Sequence, residues 1–323
     1  MQEFITRIDL GPLREAVESL KKEVGKVIVG QEEMIELLLA AILADGHVLI
    51  EGVPGVAKTL TAKLLARTIS VGFSRIQFTP DLMPSDVLGT SVFNPKSTDF
   101  EFRRGPVFSN LILIDEINRS PAKTQAALFE VMEERQVTMD GVTYPMAAPF
   151  MVLATQNPVE QEGTYRLPEA QLDRFLFKIE VTYPTVDQEL LILQQAHQRR
   201  GQQPVAEVSP VLSAEQMDEY RRKVKEIHVD EALLRYIAQL VSRTRNDAAL
   251  YLGASPRASL AIMNGAKALA AIRGRDFVTP EDIRQVAPPV LRHRIILTPE
   301  KEMEGGRPDE VIAQIIHGLE VPR

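Results

Sequence analysis

The stretch from His47 to Thr59, HVLIEGVPGVAKT, restricts this chain more than any other. A compact apolar run ends at a glycine, a turn with a second glycine follows, and Lys58-Thr59 opens a helical stretch that continues to Ile69. The apolar run reads as a buried strand. Glycines let the next segment curl so that successive backbone N–H groups point inward at an anion. The start of the following helix adds partial positive charge. Strand, glycine loop, lysine, hydroxyl and helix in this order read as a phosphate loop. Its binding residues are expected to be Gly52, Val53, Pro54, Gly55, Val56, Ala57, Lys58, Thr59 and Leu60. Lys58 would reach the outer phosphates of ATP, and the Thr59 hydroxyl would ligate Mg²⁺. The general pattern has glycine where Ala57 stands. Alanine is tolerated there at right-handed helical angles and strained at positive φ.

A second segment supports the first. Leu111-Ile112-Leu113-Ile114-Asp115-Glu116 is four apolar residues followed by two carboxylates. Adjacent like charges at the end of a buried strand are costly unless a cation uses them. Successive side chains on a strand diverge, so the two acids can serve different atoms. Asp115 is assigned to the metal shell, through water, and Glu116 to the general base that orients the attacking water. The competing reading, an acidic cap before Ile117-Asn118-Arg119, is weakened by the phosphate loop upstream.

Three further residues are candidates. Asn157 ends another apolar run and could hold the lytic water, or simply form an Asn-Pro turn. Arg174, in Leu172-Asp173-Arg174-Phe175, is either a structural ion-pair partner or a finger reaching a neighbour's γ-phosphate. Arg257, in Ser255-Pro256-Arg257, is either bent back onto the nucleotide or solvated in the first turn of a helix.

The remaining pattern sets the organisation. Apolar runs at 47–51, 111–114, 150–155 and 175–181 alternate with helical segments, which implies an α/β fold with a mainly parallel sheet and helices on both faces. Residues 88–107 read as an inserted hairpin or loop, and 136–149 as a hairpin around Asp140-Gly141. After Tyr183-Pro184 the helical periods 187–200, 213–225, 230–245, 256–273 and 280–294 dominate, so a domain boundary is placed near 184. The 323 residues carry a net charge of −7, a poor match to a nucleic-acid binder. There is no cysteine, which removes disulfides and thiolate metal sites. The five histidines show no ligand spacing. Arg221-Arg222-Lys223 and Arg292-His293-Arg294 read as solvated helix faces. No signal peptide or bilayer-length apolar run is recognised, so a cytoplasmic chain is expected.

Long collinear stretches resemble the MoxR family of AAA+ ATPases. They are IVGQEEMIELLLAAILADGHVLIEGVPGVAKT (28–59), GPVFSNLILIDEINRSPAKTQAALFEVMEERQVTMDG (105–141), APFMVLATQNPVEQEGTYRLPEAQLDRFLFKI (148–179) and SPRASLAIMNGAKALAAIRGRDFVTPEDI (255–283). An alanine before the lysine is the form this family resembles. The resemblance implies a P-loop αβα sandwich over 1–184 and an α-helical lid over 185–323. It implies an insert near 88–105 and a hairpin at 136–148 before the first sensor strand. Val29, Gly30 and Gln31 would line the adenine pocket, Asn157 would be the first sensor, Arg174 the finger and Arg257 the second sensor. Arg166 is a rival for the finger role. The family implies a homo-hexameric ring with chaperone-like action on protein clients, often with a von Willebrand factor A domain partner. Phe93, Phe100 and Phe102 are candidates to grip a client. The alternatives are a related motor, such as a metal-chelatase ATPase subunit or DNA remodeller, and a weakly hydrolysing scaffold.

Overall fold

The computed structural model describes residues 8–53, 55–157, 165 and 167–322. The chain begins with helices α1 (Gly11–Gly25) and α2 (Glu32–Leu43), then strand β1 (His47–Gly52), helix α3 (Lys58–Thr68) and strand β2 (Phe73–Gln77). A short helix α4 (Pro84–Leu88) leads into the hairpin β3 (Gly89–Asn94) and β4 (Asp99–Arg104). Strand β5 (Leu111–Asp115) is followed by a 3₁₀ turn at Ile117–Arg119 and helix α5 (Ala122–Glu134). The hairpin β6 (Gln136–Met139) and β7 (Val142–Pro145) comes next, then β8 (Met151–Gln156), α6 (Glu169–Leu172) and β9 (Phe175–Val181).

Five strands form one sheet in the order β2-β5-β8-β1-β9, with every pairing parallel. The continuous apolar runs are explained by burial on both faces. Val48, Ile50, Leu111, Leu113, Met151 and Leu153 face one core. Leu49, Ile112, Ile114, Val152 and Ala154 face the other, with Phe129 and Met132 of α5. Period-two alternation thus divides each strand between two layers of helices.

The fifth strand, β2, is absent from the expected set of four. It lies at the sheet edge, and its Arg75-Ile76-Gln77-Phe78 segment alternates polar and apolar instead of forming an apolar run. Gly72 before it and Thr79-Pro80 after it bound a readable strand signal.

The later part of the chain is helical: α7 (Val186–Arg199), α8 (Ala214–Lys225), α9 (Glu231–Thr244), β10 (Leu250–Leu252), α10 (Pro256–Ile272), α11 (Pro280–Leu291), β11 (Ile296–Leu297), α12 (Pro299–Met303) and α13 (Pro308–His317). Helix α2 is buried through most of its length because it touches β1 and β9 on one side and α8 and α10 on the other. The two basic runs are not solvated faces as expected. Arg221, His293 and Arg294 are buried, with Arg221 on Asp45 and Arg292 on Asp309. Arg222 does point outward. No described helix is long and apolar enough to cross a membrane.

Candidate nucleotide site

All five strands of the sheet run the same way, so their C-terminal ends share one edge. Register fixes what meets there. Ile50 is level with Thr155, Ile114 with Ala154, and Gln77 with Asp115. The loop after Gly52 and the acids after Ile114 are separated only by β8, about 10 Å between strand axes.

In the phosphate loop Gly55 has φ 86° and Ala57 has φ 60°, ψ 19°. Ala57 therefore departs from the right-handed angles under which alanine is comfortable. Its Cβ costs on the order of 1 kcal/mol in this region. Lys58 and Thr59 open α3, whose first N–H groups have no partner within the helix. Lys58 Nζ donates to the carbonyls of Gly52 at 2.6 Å and Val53 at 3.3 Å. Burial lowers the pKa of Lys58, opposed by the carboxylates of Asp115, Glu116 and Glu51. The lysine is thus within electrostatic reach of both acids. Pro54 lies outside the described residues. Gly30 in the Val29-Gly30-Gln31 segment has φ 72°, and a Cβ there would run into the side chain of Gln188 on α7. The backbone angle favours glycine there, while the flexible end of the Gln188 side chain could move aside.

The acidic strand end is held by a network. Thr155 Oγ1 donates to Asp115 Oδ1 at 3.2 Å and accepts the Glu116 N–H at 3.0 Å. Arg75 Nε donates to Asp115 Oδ2 at 2.5 Å. Gln77 Nε2 donates to Glu116 Oε2 at 2.7 Å, and Arg119 pairs with the same oxygen at 3.3 Å. Glu116 itself has φ 57° and ψ 53°, in the left-handed region, where the chain leaves the sheet. Asn157 follows the last residue of β8 at the same edge.

Arg174 lies elsewhere. It precedes Phe175, which pairs with His47, the first residue of β1, while Gly52 pairs with Val181. Five residues of strand, about 17 Å, separate the two ends. Arg174 Nη1 donates to Phe129 O and to Glu133 Oε2, both at 3.0 Å. Arg257 Nη2 donates to Glu133 Oε1 at 3.4 Å, and the Ser255 hydroxyl donates to Asp173 Oδ2 at 3.1 Å. The start of α10 is therefore docked at the N-terminal edge of the sheet. Arg257 does not fold back onto the phosphate loop of its own chain; it joins Arg174 at the opposite edge. Arg294 supports this corner, donating to Asp173 Oδ1 at 2.6 Å and to the carbonyls of Asp173 and Phe175. Arg166 is outside the described residues.

Arg75, Gln77, Thr155, Glu133 and Arg294 were not singled out as functional from the sequence. Only β2's alternation could have flagged the first two. The others are apparent only through contacts between distant segments.

Among the described residues no group of three or more His, Cys, Asp or Glu side chains can hold a metal ion unaided. Asp115 and Thr59 offer oxygen donors at the loop edge, and Asp115 already holds a cation, the Arg75 guanidinium. That set fits a hard divalent ion drawing most of its ligands from phosphate and water.

A parallel sheet with a phosphate loop after one strand, paired acids after another and a helical lid defines a P-loop nucleotide-binding protein of the AAA class. The model of the ATPase family associated with various cellular activities matches residues 47–177, and that of the AAA lid domain matches 242–315. The chain is 47% identical to YeaC of Bacillus subtilis (strain 168) over 315 residues, 97% of this chain and 96% of that one. It is 46% identical to Chaperone MoxR1 of Mycobacterium tuberculosis over 310 residues, 93% of this chain and 81% of that one. A crystal structure of a candidate ATPase from Cytophaga hutchinsonii superposes with a TM-score of 0.89 at 46% identity, covering 96% of each chain. The chain belongs to the MoxR family of AAA ATPases.

Proposed function

We propose that this chain binds Mg-ATP at the phosphate-loop edge, hydrolyses it at a boundary between copies in a homo-hexameric ring, and uses the cycle to remodel protein clients. The observation that carries this reading is the separation of the two halves of the site. Lys58, Asp115 and Glu116 occupy one edge of the sheet, and Arg174 with Arg257 the other. One copy cannot bring its own arginines to its own phosphates across about 17 Å of strand. A head-to-tail neighbour can, which makes Arg174 the finger and Arg257 a second arginine acting on the adjacent copy's nucleotide.

Within this reading residues 1–184 are the nucleotide core and 185–323 the lid. Lys58 exchanges the Gly52 and Val53 carbonyls for phosphate oxygens, and the α3 N–H groups cradle the same charge. Val29, Gly30 and Gln31 take the adenine. Thr59 and Asp115 hold the magnesium ion, which when bound neutralises phosphate charge. Glu116 accepts the proton of the attacking water, and Asn157 orients that water. A client-remodelling role is supported by the name of Chaperone MoxR1. Phe93 and Phe100, stacked edge to face at 5.5 Å on the β3–β4 hairpin, are half exposed or more and suit contact with a client. Phe102 instead packs on Tyr144 and Phe108. Maturation of, or cofactor insertion into, complexes with a von Willebrand factor A domain partner belongs to the same reading.

The test mixes two inactive variants. Arg174→Ala and Glu116→Gln are each expected to lack turnover, and co-assembled they should regain part of it. In the mixed ring some boundaries hold an intact Glu116 on one side and an intact Arg174 on the other. A mixture as inactive as its parts would overturn the shared site.

A further inference from the structure

We propose that Glu133 is a positioning residue that sets Arg174 and Arg257 as a pair, so that the two guanidiniums meet the adjacent copy's nucleotide as one unit; this rests on the boundary reading above. The three side chains come from separate elements: the last turn of α5, the residue before β9 and the first turn of α10. Arg174 Nη1 donates to Glu133 Oε2 at 3.0 Å, and Arg257 Nη2 donates to Glu133 Oε1 at 3.4 Å. Each oxygen of one carboxylate thus serves a different arginine.

The packing around them explains why an acid is needed there. Asp173, next to Arg174 in sequence, accepts the Ser255 hydroxyl at 3.1 Å, and the Ser255 oxygen caps α10 by accepting the Arg257 N–H at 3.2 Å. These bonds bring the start of α10 against Arg174 without involving the Arg257 charge. The second Asp173 oxygen is taken by Arg294, whose side chain is buried. Asp173 is therefore committed elsewhere, and Glu133 is the carboxylate that Arg174 and Arg257 share. Two acids against three arginines leave this group of five side chains one positive charge in excess, which suits a corner that meets phosphate.

The two arginines differ in what else restrains them. Arg174 Nη1 also donates to the Phe129 carbonyl at 3.0 Å, and its side chain is 28% exposed. The Arg257 side chain is 57% exposed. Glu133 ties the exposed arginine to the anchored one. A guanidinium has five N–H donors, so one contact each to Glu133 leaves both forks with donors for phosphate oxygens. A glutamine cannot do the same. Its single amide oxygen serves one arginine, and its NH₂ then faces the other. Near a reacting group, a misplacement of about 1 Å can cost up to about a hundredfold in rate.

The experiment pairs steady-state turnover with an ATPγS titration on the full-length protein. Glu133→Gln should lower kcat by about tenfold to a hundredfold. ATPγS affinity should stay close to that of the parent, because the phosphate loop lies at the opposite edge of the sheet. Glu133→Asp keeps both oxygens and should retain more of kcat than Glu133→Gln. In the Glu133→Gln background Arg257→Ala should cost little further, since the arginine has already lost its place. A contact that only holds the helical region on the sheet domain would give additive losses instead. Parent-like kcat in Glu133→Gln, additive losses with Arg257→Ala, or Glu133→Asp no better than Glu133→Gln would each overturn the proposal. Light scattering keeps assembly apart from chemistry: a loss of kcat that comes only with smaller assemblies counts against it too. Arg174→Ala separates the two levels. Normal turnover there takes the finger role from Arg174 and refutes the reading on which Glu133 depends, whereas a large loss there beside parent-like Glu133→Gln refutes only the role of Glu133.

Discussion

Arg174 and Arg257 rest on opposite oxygens of one carboxylate, with Arg174 Nη1 3.0 Å from Glu133 Oε2 and Arg257 Nη2 3.4 Å from Glu133 Oε1. One arginine precedes β9 and the other opens α10, so Glu133 joins the sheet domain to the helical region at this point. Two guanidiniums so close repel unless an acid lies between them. Arg174→Ala is expected to lower turnover by about a thousandfold or more while leaving nucleotide affinity close to that of the parent. Arg257→Ala should act in the same direction, and the pair should be less than additive if they serve one phosphate. Steady-state kinetics with a parallel binding titration checks both statements. Normal turnover in Arg174→Ala would move the finger role to another arginine, with Arg166 the first to test.

Lys58 is bonded to the carbonyls of its own loop, not to a carboxylate, so its loss removes no ion pair at close range. Lys58→Ala should abolish measurable ATP uptake in calorimetry and leave thermal stability nearly unchanged. ATP binding that survives this change would disconnect the phosphate loop from nucleotide.

Ala57 sits at φ 60°, where glycine carries no Cβ penalty. Ala57→Gly should relieve about 0.5–1 kcal/mol, less what the unfolded chain gains in freedom. The expected outcome is a rise in melting temperature of no more than about 1 °C by calorimetry. A clear fall would mean that Ala57 is not strained as described.

His47 is fully buried at the start of β1, and burial, aided by the Arg135 charge, lowers its pKa from 6.5 to about 3. Its Nδ1 accepts the Val152 N–H at 3.0 Å, so Nε2 carries the proton and donates to Met132 O at 3.1 Å. The native state keeps this ring neutral while the unfolded chain protonates it below pH 6.5. The unfolded state then binds more protons, and stability falls as pH drops from 6.5 toward 3. The slope from this group is about 1.4 kcal/mol per pH unit well inside that window. Urea unfolding at pH 7 and pH 5 should show a smaller acid-side loss for His47→Gln than for the parent. Equal losses would exclude His47 as a source of the acid sensitivity.

The phosphate loop and the acidic strand end were legible because their chemistry is local. A backbone curl, a lysine and a helix start are specified within eight residues, and Leu111 to Ile114 announces a buried strand by composition alone. The same locality explains the misreadings. Arg294 looks solvated beside Arg292 in sequence, yet its guanidinium is buried against the Asp173 carboxylate and four backbone carbonyls within the described residues. Ala57 stands out in sequence as a departure from the usual glycine, but its strain follows only from φ, which tertiary structure sets.

Apolar runs, a glycine-bearing turn and two adjacent acids were enough to specify a parallel α/β core with a candidate phosphate site at one edge, since burial and backbone angles act over a few residues. Strand order and register decided the rest. They set Arg75 and Gln77 beside Asp115 and Glu116 and put Arg174 at the far edge, where docking of α10 brings Arg257. Pairings across a sheet depend on which strands become neighbours, and that is settled by packing of the whole chain rather than by any segment within it.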